Sequence, residues 1–203
     1  MKKAKNAKVP SLTDNDPGDD LDEQKEESLP LDEDETARYR RGVGILLYLA
    51  ADRWDVKRDT ELMARRMKNP RVFDRRRLVK VIRYLKGTRE FGHVLRAGRG
   101  HAGNILLDLY SDTNFAPDDP TKRAMTFGTS FVDGMPFSCF ARRQGVQPTS
   151  SGEAEFYGAS SVVMDGKVIW HLFEWLGYQV TCALAVDSAA AKGMLLSDGV
   201  GGE

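Results

Sequence analysis

Apolar residues recur along this chain with two different periods, and the change from one to the other falls near residue 100. Tyr39, Val43, Leu46, Leu47, Leu49 and Ala50 follow a helical spacing, which predicts a helix from about Glu35 to Ala50 capped by Asp32 or Asp34. Gly42 and Gly44 either weaken this helix or let another element pack closely against it. After a break around Arg53-Trp54-Asp55, a second helix is expected from Asp59 to Met67, capped by Asp59 or Thr60 and closed by Asn69-Pro70. A third is expected from Val72 to Leu85, with Val72, Phe73, Leu78, Val79, Ile82 and Leu85 as its apolar stripe and Gly87 as its C-cap.

Past the glycine-rich stretch Phe91 to Gly103 the apolar positions alternate. Asn104 to Ser111 reads as a strand ending at Asp112. Met125 to Val132 and Met135 to Arg142 read as strands joined by an Asp133-Gly134 hairpin turn. A Pro- and Asp-rich loop, Phe115 to Arg123, precedes them, and Gln144 to Pro148 follows as a connection. A long helix is expected from Ser151 to Leu176, ended by Gly177, then a strand Gln179 to Val186 and a helix Ser188 to Leu196. The order β-β-β-α-β-α predicts an α/β fold, a mixed sheet with helices against it, preceded by a small helical segment.

Charge divides the chain in the same places. The formal net charge is zero, but residues 36–100 carry 19 basic against 6 acidic residues, and residues 101–203 carry 12 acidic against 6 basic. The first 30 residues are acidic and poor in aromatic groups; they bury too little apolar surface to offset their ordering entropy, so a disordered tail is expected there. The organisation expected is therefore a tail at 1–30, a helical segment at 31–100 and a sheet-containing domain at 101–203. Cys139 and Cys182 lack metal-ligand spacing, no apolar run approaches the ~20 residues of a membrane span, and the basic N-terminus has no apolar signal core. These features predict reduced cysteines and an intracellular protein, cytoplasmic or nuclear.

The candidate chemistry lies in the acidic part. Asp112 and Asp187 each end a predicted strand, and Glu153 and Glu155 fall near the start of the long helix between them. Singly, each has a structural explanation: a loop amide for Asp112, a helix cap for Asp187, the helix dipole for the glutamates. Together they can converge if the two strands are neighbours. Clustered carboxylates repel unless a cation sits among them, and oxygen-only ligands suit Mg²⁺ or Mn²⁺. Such ions support hydrolysis of a phosphodiester without a nucleophilic Ser or Cys. Glu153 and Glu155 point about 200° apart on a helix, so only one can face the cluster fully. On the third helix Arg76, Lys80 and Arg83 belong to a basic face that is either ordinary solvated surface or a contact surface for a phosphate backbone.

Several stretches carry a family likeness: Y-S-D-T-N-F-A at 110–116, S-S-G-E-A-E-F-Y at 150–157, W-H-L-F-E-W-L-G at 170–177 and V-D-S-A-A-A at 186–191. Upstream, the run at 31–53 and V-I-R-Y-L-K-G-T at 81–88 add to it in the right order. The chain resembles the C-terminal part of copia-type retrotransposon Pol polyproteins, from the connection after the reverse transcriptase into the ribonuclease H domain. The resemblance covers about Leu31 to Gly202 and implies a ribonuclease H-like fold that cuts the RNA strand of an RNA–DNA hybrid with Mg²⁺. It implies Asp112, Glu155 and Asp187 as the catalytic, metal-binding acids, with Glu153 as a flanking carboxylate. Lys122, Arg123, Arg142 and Arg143 become candidate phosphate contacts, and the hybrid and the parent reverse transcriptase become the expected partners.

The chain also departs from the family. Phe115 stands where Trp is usual, Pro117 where Gly is, and Met125 and Phe127 where small hydroxyl residues are. Gly158 and Gly166 fall inside the long helix and, if exposed, each destabilises it by up to about 1 kcal/mol. The family's fourth acid lies after the turn that Gly199-Val200-Gly201-Gly202 resembles, so weak activity or none is expected of these 203 residues. The alternative function is that of a non-catalytic, nucleic-acid-binding remnant.

Overall fold

The computed structural model describes residues 29–95, 103–115 and 123–196. The expected tail, apart from its last two residues, lies outside them, as do Lys122, Pro117 and the glycine-rich turn at 199–202. The chain divides into two compact units, 1–92 and 93–203; the sequence placed this division after residue 100.

The first unit is helical: α1 (Glu33–Leu49), a 3₁₀ turn (Trp54–Val56), α2 (Lys57–Ala64) and α3 (Val72–Gly87). Asp32 starts α1, its Oδ1 accepting from the Glu35 amide at 2.7 Å, and Glu33, Asp34 and Glu35 complement the dipole. Tyr39, Val43, Leu46 and Ala50 turn inward at helical spacing and meet Val56, Met63, Leu78, Val81 and Tyr84 in one core. Gly42 allows α3 to approach: a Cβ there would stand 2.8 Å from Leu78 Cδ2. Tyr39 closes the core with a 2.8 Å hydrogen bond from its hydroxyl to the Met63 carbonyl, and burial pushes that phenol well above its ordinary pKa.

Two caps differ from expectation. α2 begins before Asp59, which is buried in its first turn 3.9 Å from Arg77; Thr60 bonds back to the Val56 carbonyl at 2.8 Å. Burial holds the Asp59 carboxyl above the usual range, with Arg77 opposing. Gly87 is the last residue of α3 and its φ is not positive; Thr88 caps the helix, its hydroxyl donating to the Tyr84 carbonyl at 2.9 Å. Arg53 reaches across to the Thr88 carbonyl at 3.0 Å, so the chain end is held by a side chain and needs no left-handed glycine.

The second unit contains β1 (Asn104–Asn114), β2 (Met125–Val132), β3 (Met135–Arg143), the long α4 (Ser151–Trp175), β4 (Gln179–Val186) and α5 (Ala189–Leu196). The four-stranded sheet has the order β3-β2-β1-β4; β1 is antiparallel to β2 and parallel to β4. It is therefore a mixed α/β unit. Asp133 (φ 50°) and Gly134 (φ 75°) form the two-residue hairpin turn. Gly177 (φ 89°) ends α4, where the amides of Gly177 and Tyr178 bond the carbonyls of Glu174 and Phe173. Ile105, Leu107, Leu109 and Val132 pack against Val162 and Ile169 of α4 to make the core.

β1 continues past its expected end. Ser111, Asp112, Thr113 and Asn114 still pair with β2, from Gly128 to Met125, so Asp112 lies within the strand. The alternation survives because small hydroxyls replace apolar side chains on the inward face: Ser111 and Thr113 are buried, Asp112 and Asn114 exposed. Gly158 and Gly166 are buried as well, facing the sheet. A Cβ on Gly166 would come within 2.5 Å of Leu109 Cδ1, so these glycines set how closely the helix approaches rather than merely weakening it.

Candidate active site

The ladder between β1 and β4 ends at Ser111 opposite Val186, and Asp187 is the next residue on its chain. Asp112 on β1 and Asp187, one residue past β4, therefore stand side by side at the end of two adjacent parallel strands, which run about 4.8 Å apart. Both are exposed, Asp112 on the sheet face turned away from α4. They line a cavity of about 880 Å³ together with Asp108, Tyr110, Phe127 and Phe131.

Glu155 comes from the opposite side of the sheet. It lies in the second turn of α4, 6 % exposed, and its Oε2 has no hydrogen-bond partner among the described residues. Burial pushes its carboxyl above the usual pKa, and the negative charges of Asp187 and Asp112 push it the same way; hydrogen bonds from Thr113 pull it back. Around it lies a polar layer. Gln144 Nε2 donates to Thr126 Oγ1 at 3.0 Å and to the Ala154 carbonyl at 2.7 Å, and the hydroxyls of Thr113 and Thr126 are 3.4 Å apart.

Glu153 has a different occupation. Its Oε2 accepts from both the amide and the hydroxyl of Thr149 at 2.6 Å, and its Oε1 from the Tyr157 hydroxyl at 3.0 Å. Its own amide is capped by Ser150 Oγ at 3.1 Å. The bonds from Thr149 and Tyr157 hold its carboxyl below the usual range, with the Thr149 hydroxyl the largest contributor. Glu153 thus closes the start of α4, two residues from the buried Glu155.

The donor set matches a hard divalent cation: carboxylates only, mutually repelling, with one oxygen orphaned inside the protein. Among the described residues no group of three or more His, Cys, Asp or Glu side chains is drawn tightly enough to hold an ion by itself.

The other predicted contacts are dispersed. Arg142 pairs with Thr126 across the strands, on the α4 side of the sheet, and there bonds Asp165 at 2.5 Å while lying over the Phe140 ring at 4.1 Å. Arg143, opposite Met125, stands by alternation on the Asp112 side and is half-buried. Arg123 is exposed just before β2. Arg76, Lys80 and Arg83 sit on α3, in the other unit; Arg83 is exposed and the first two are half-buried. Two further residues join the site, Asp108 and Thr113, neither singled out by the sequence alone. Asp108 shares the outward face of β1 with Asp112, and the four-residue spacing in D-L-Y-S-D carried that signal. Thr113 became visible only once it lay beneath Glu155.

No protein-family model and no solved structure matches the chain. Curated relatives do. The chain is 28 % identical over 143 residues to the Retrovirus-related Pol polyprotein from transposon RE1 of Arabidopsis thaliana, covering 70 % of this chain and 10 % of that protein. It is 29 % identical over 143 residues to the counterpart from transposon RE2, with the same shares. An uncharacterized mitochondrial protein of the same plant matches at 29 % over 118 residues, 58 % of this chain and 48 % of its own length. The chain thus spans about a tenth of the two polyproteins and about half of the mitochondrial protein. In agreement with the motifs at 110–116, 150–157 and 186–191, this chain is homologous to a segment of the retrovirus-related Pol polyproteins of transposons.

Proposed function

We propose that the second unit is a ribonuclease H-like domain of a transposon Pol polyprotein, acting on the RNA strand of RNA–DNA hybrids. The observation that carries this reading is Glu155, buried with one oxygen unpartnered among the described residues and near enough to feel the charges of the neighbouring Asp187 and Asp112. The strand order β3-β2-β1-β4, with one parallel pair, is compatible with that fold.

Asp112, Asp187 and Glu155 would hold Mg²⁺ or Mn²⁺. The bound ion would supply activation of water and neutralisation of charge at the scissile phosphate. The protein's own part is positional. β1 and β4 present two carboxylates on an open, exposed face where a duplex has access. Glu155 stays behind them in the polar layer of Thr113, Thr126 and Gln144, and Gly158 keeps the helix close enough to hold it there. Discrimination for RNA would rest on contacts to the 2′-hydroxyl along the cleft. Arg123 and Arg143 are the basic candidates on this unit, whereas Arg142 is engaged by Asp165 on the far side.

The 203-residue chain, incubated with a labelled RNA–DNA hybrid and Mg²⁺, is expected to cleave the RNA strand slowly. Asp112→Asn is expected to abolish that cleavage. An intact hybrid under both Mg²⁺ and Mn²⁺ overturns the catalytic reading for this chain. Salt-dependent binding that survives Asp112→Asn would then identify it as a non-catalytic nucleic-acid-binding remnant. The exposed Arg83 on the basic face of α3 favours that second reading.

A further inference from the structure

α4 is apolar on two opposite sides. One carries Val162, Gly166 and Ile169 onto the sheet. The other carries Met164 and Val168, exposed by 63 and 72 %, with Trp175 beside them at 82 % and Leu172 at its flank, 44 % exposed. A helix with a second apolar side ordinarily buries that side as well. The spacing of four residues draws these side chains into one ridge, the kind of row that interlocks with the same row on a second helix. Lys167, His171 and Glu174 follow one edge of the ridge, Lys167 toward its start and Glu174 toward its end.

We propose that this ridge is a homodimer interface in which the α4 helices of two copies pack antiparallel about a two-fold axis near His171. The rotation that makes the helices antiparallel keeps their like edges on the same side. Lys167 therefore meets Glu174 of the partner subunit, and Glu174 meets the partner's Lys167. This complementarity selects a second copy as the occupant, because a single ridge supplies both halves of each pair. Glu174 is accessible for it: its contact with His171 at 3.3 Å is exposed on both sides. Trp175 offers the largest flat surface to bury, as the anchors of interfaces commonly do.

Sedimentation equilibrium of the full chain, from about 1 to about 100 µM, is expected to show a monomer–dimer equilibrium, a range that spans micromolar affinities. Val168→Lys is expected to weaken association at least ~10-fold. Lys167→Glu weakens it too, and combining it with Glu174→Lys restores it. In a Cys139→Ser, Cys182→Ser background, His171→Cys is expected to form a disulfide-linked dimer on mild oxidation, and Met164→Cys, far from the axis, is not. The substituted positions on α4 are exposed, so circular dichroism melts unchanged from those of the parent background serve as the folding control. A monomer at every concentration overturns the proposal. So does a dimer indifferent to Val168→Lys, or a charge exchange that fails to restore association.

Discussion

Gly158 lies where Thr113 leaves no room for a methyl group: a Cβ on Gly158 would stand 2.2 Å from Thr113 Oγ1. Ser111 Oγ and Thr126 Oγ1 follow at 3.1 and 3.2 Å, so the helix and sheet meet there through hydroxyls and a bare backbone. Gly158→Ala is therefore expected to destabilise the second unit by about 1–3 kcal/mol, the usual cost of overpacking, despite alanine's better helix propensity. Gly44→Ala on α1 is the contrasting case. Nothing lies within 4 Å of a Cβ there, and a gain of up to about 1 kcal/mol is expected. Urea denaturation of the two variants checks both signs.

Glu155 predicts an unusual pH dependence. Its folded pKa is raised, so the unfolded chain releases this proton at a lower pH than the folded one. Below the ordinary carboxylate value of about 4.3 both states are protonated and the group is neutral to stability. As pH rises from there through the folded pKa, Glu155 increasingly opposes folding. Glu155→Gln is expected to be more stable than the wild type near neutral pH, with the gap closing in acid. Thermal melts from acid to neutral pH measure it. Added Mg²⁺ is expected to raise the melting temperature of the wild type and to leave Asp112→Asn unmoved.

The two helix glutamates are expected to separate by function. Ser150→Ala removes the cap of α4 and is expected to cost about 1 kcal/mol in denaturant unfolding. Glu153, with its lowered folded pKa, supports folding at pH above the ordinary carboxylate value, and loses that support as pH falls through the folded value. In the hybrid-cleavage assay Glu153→Gln is expected to retain activity and Glu155→Gln to lose it. The reverse result would move the metal-binding role to Glu153.

On the first unit, replacing Arg76, Lys80 and Arg83 together by Glu is expected to weaken hybrid binding and to flatten its dependence on salt. Each lost phosphate contact lowers the slope of log affinity against log salt by about 0.9 on B-form DNA. Fluorescence anisotropy across a salt series reads the slope. An unchanged slope would leave the face of α3 as ordinary solvated surface.

Much of the fold was legible because its signals are local. Asp32 capped α1, Asp133-Gly134 made its turn, Gly177 ended α4, and β4 ran from Gln179 to Val186, each a matter of a few neighbouring residues. Two of the differences share one cause. Thr88 rather than Gly87 caps α3 because Arg53 reaches its carbonyl from another part of the chain, and Asp112 stays inside β1 because β2 continues to pair there. Partners distant along the chain decided both.

Periodicity and motif alone determined that helices precede a sheet, that Asp112 belongs to one of its strands and Asp187 directly follows another, and that the chain resembles transposon Pol polyproteins. Only tertiary structure decided what the two glutamates do. In sequence Glu153 and Glu155 are near equivalents. Folding turns one toward Thr149 and Tyr157, which satisfy it, and buries the other against the sheet with an oxygen unpartnered among the described residues. A carboxylate's chemistry follows from its burial and from the charges around it, and both are properties of the assembled fold.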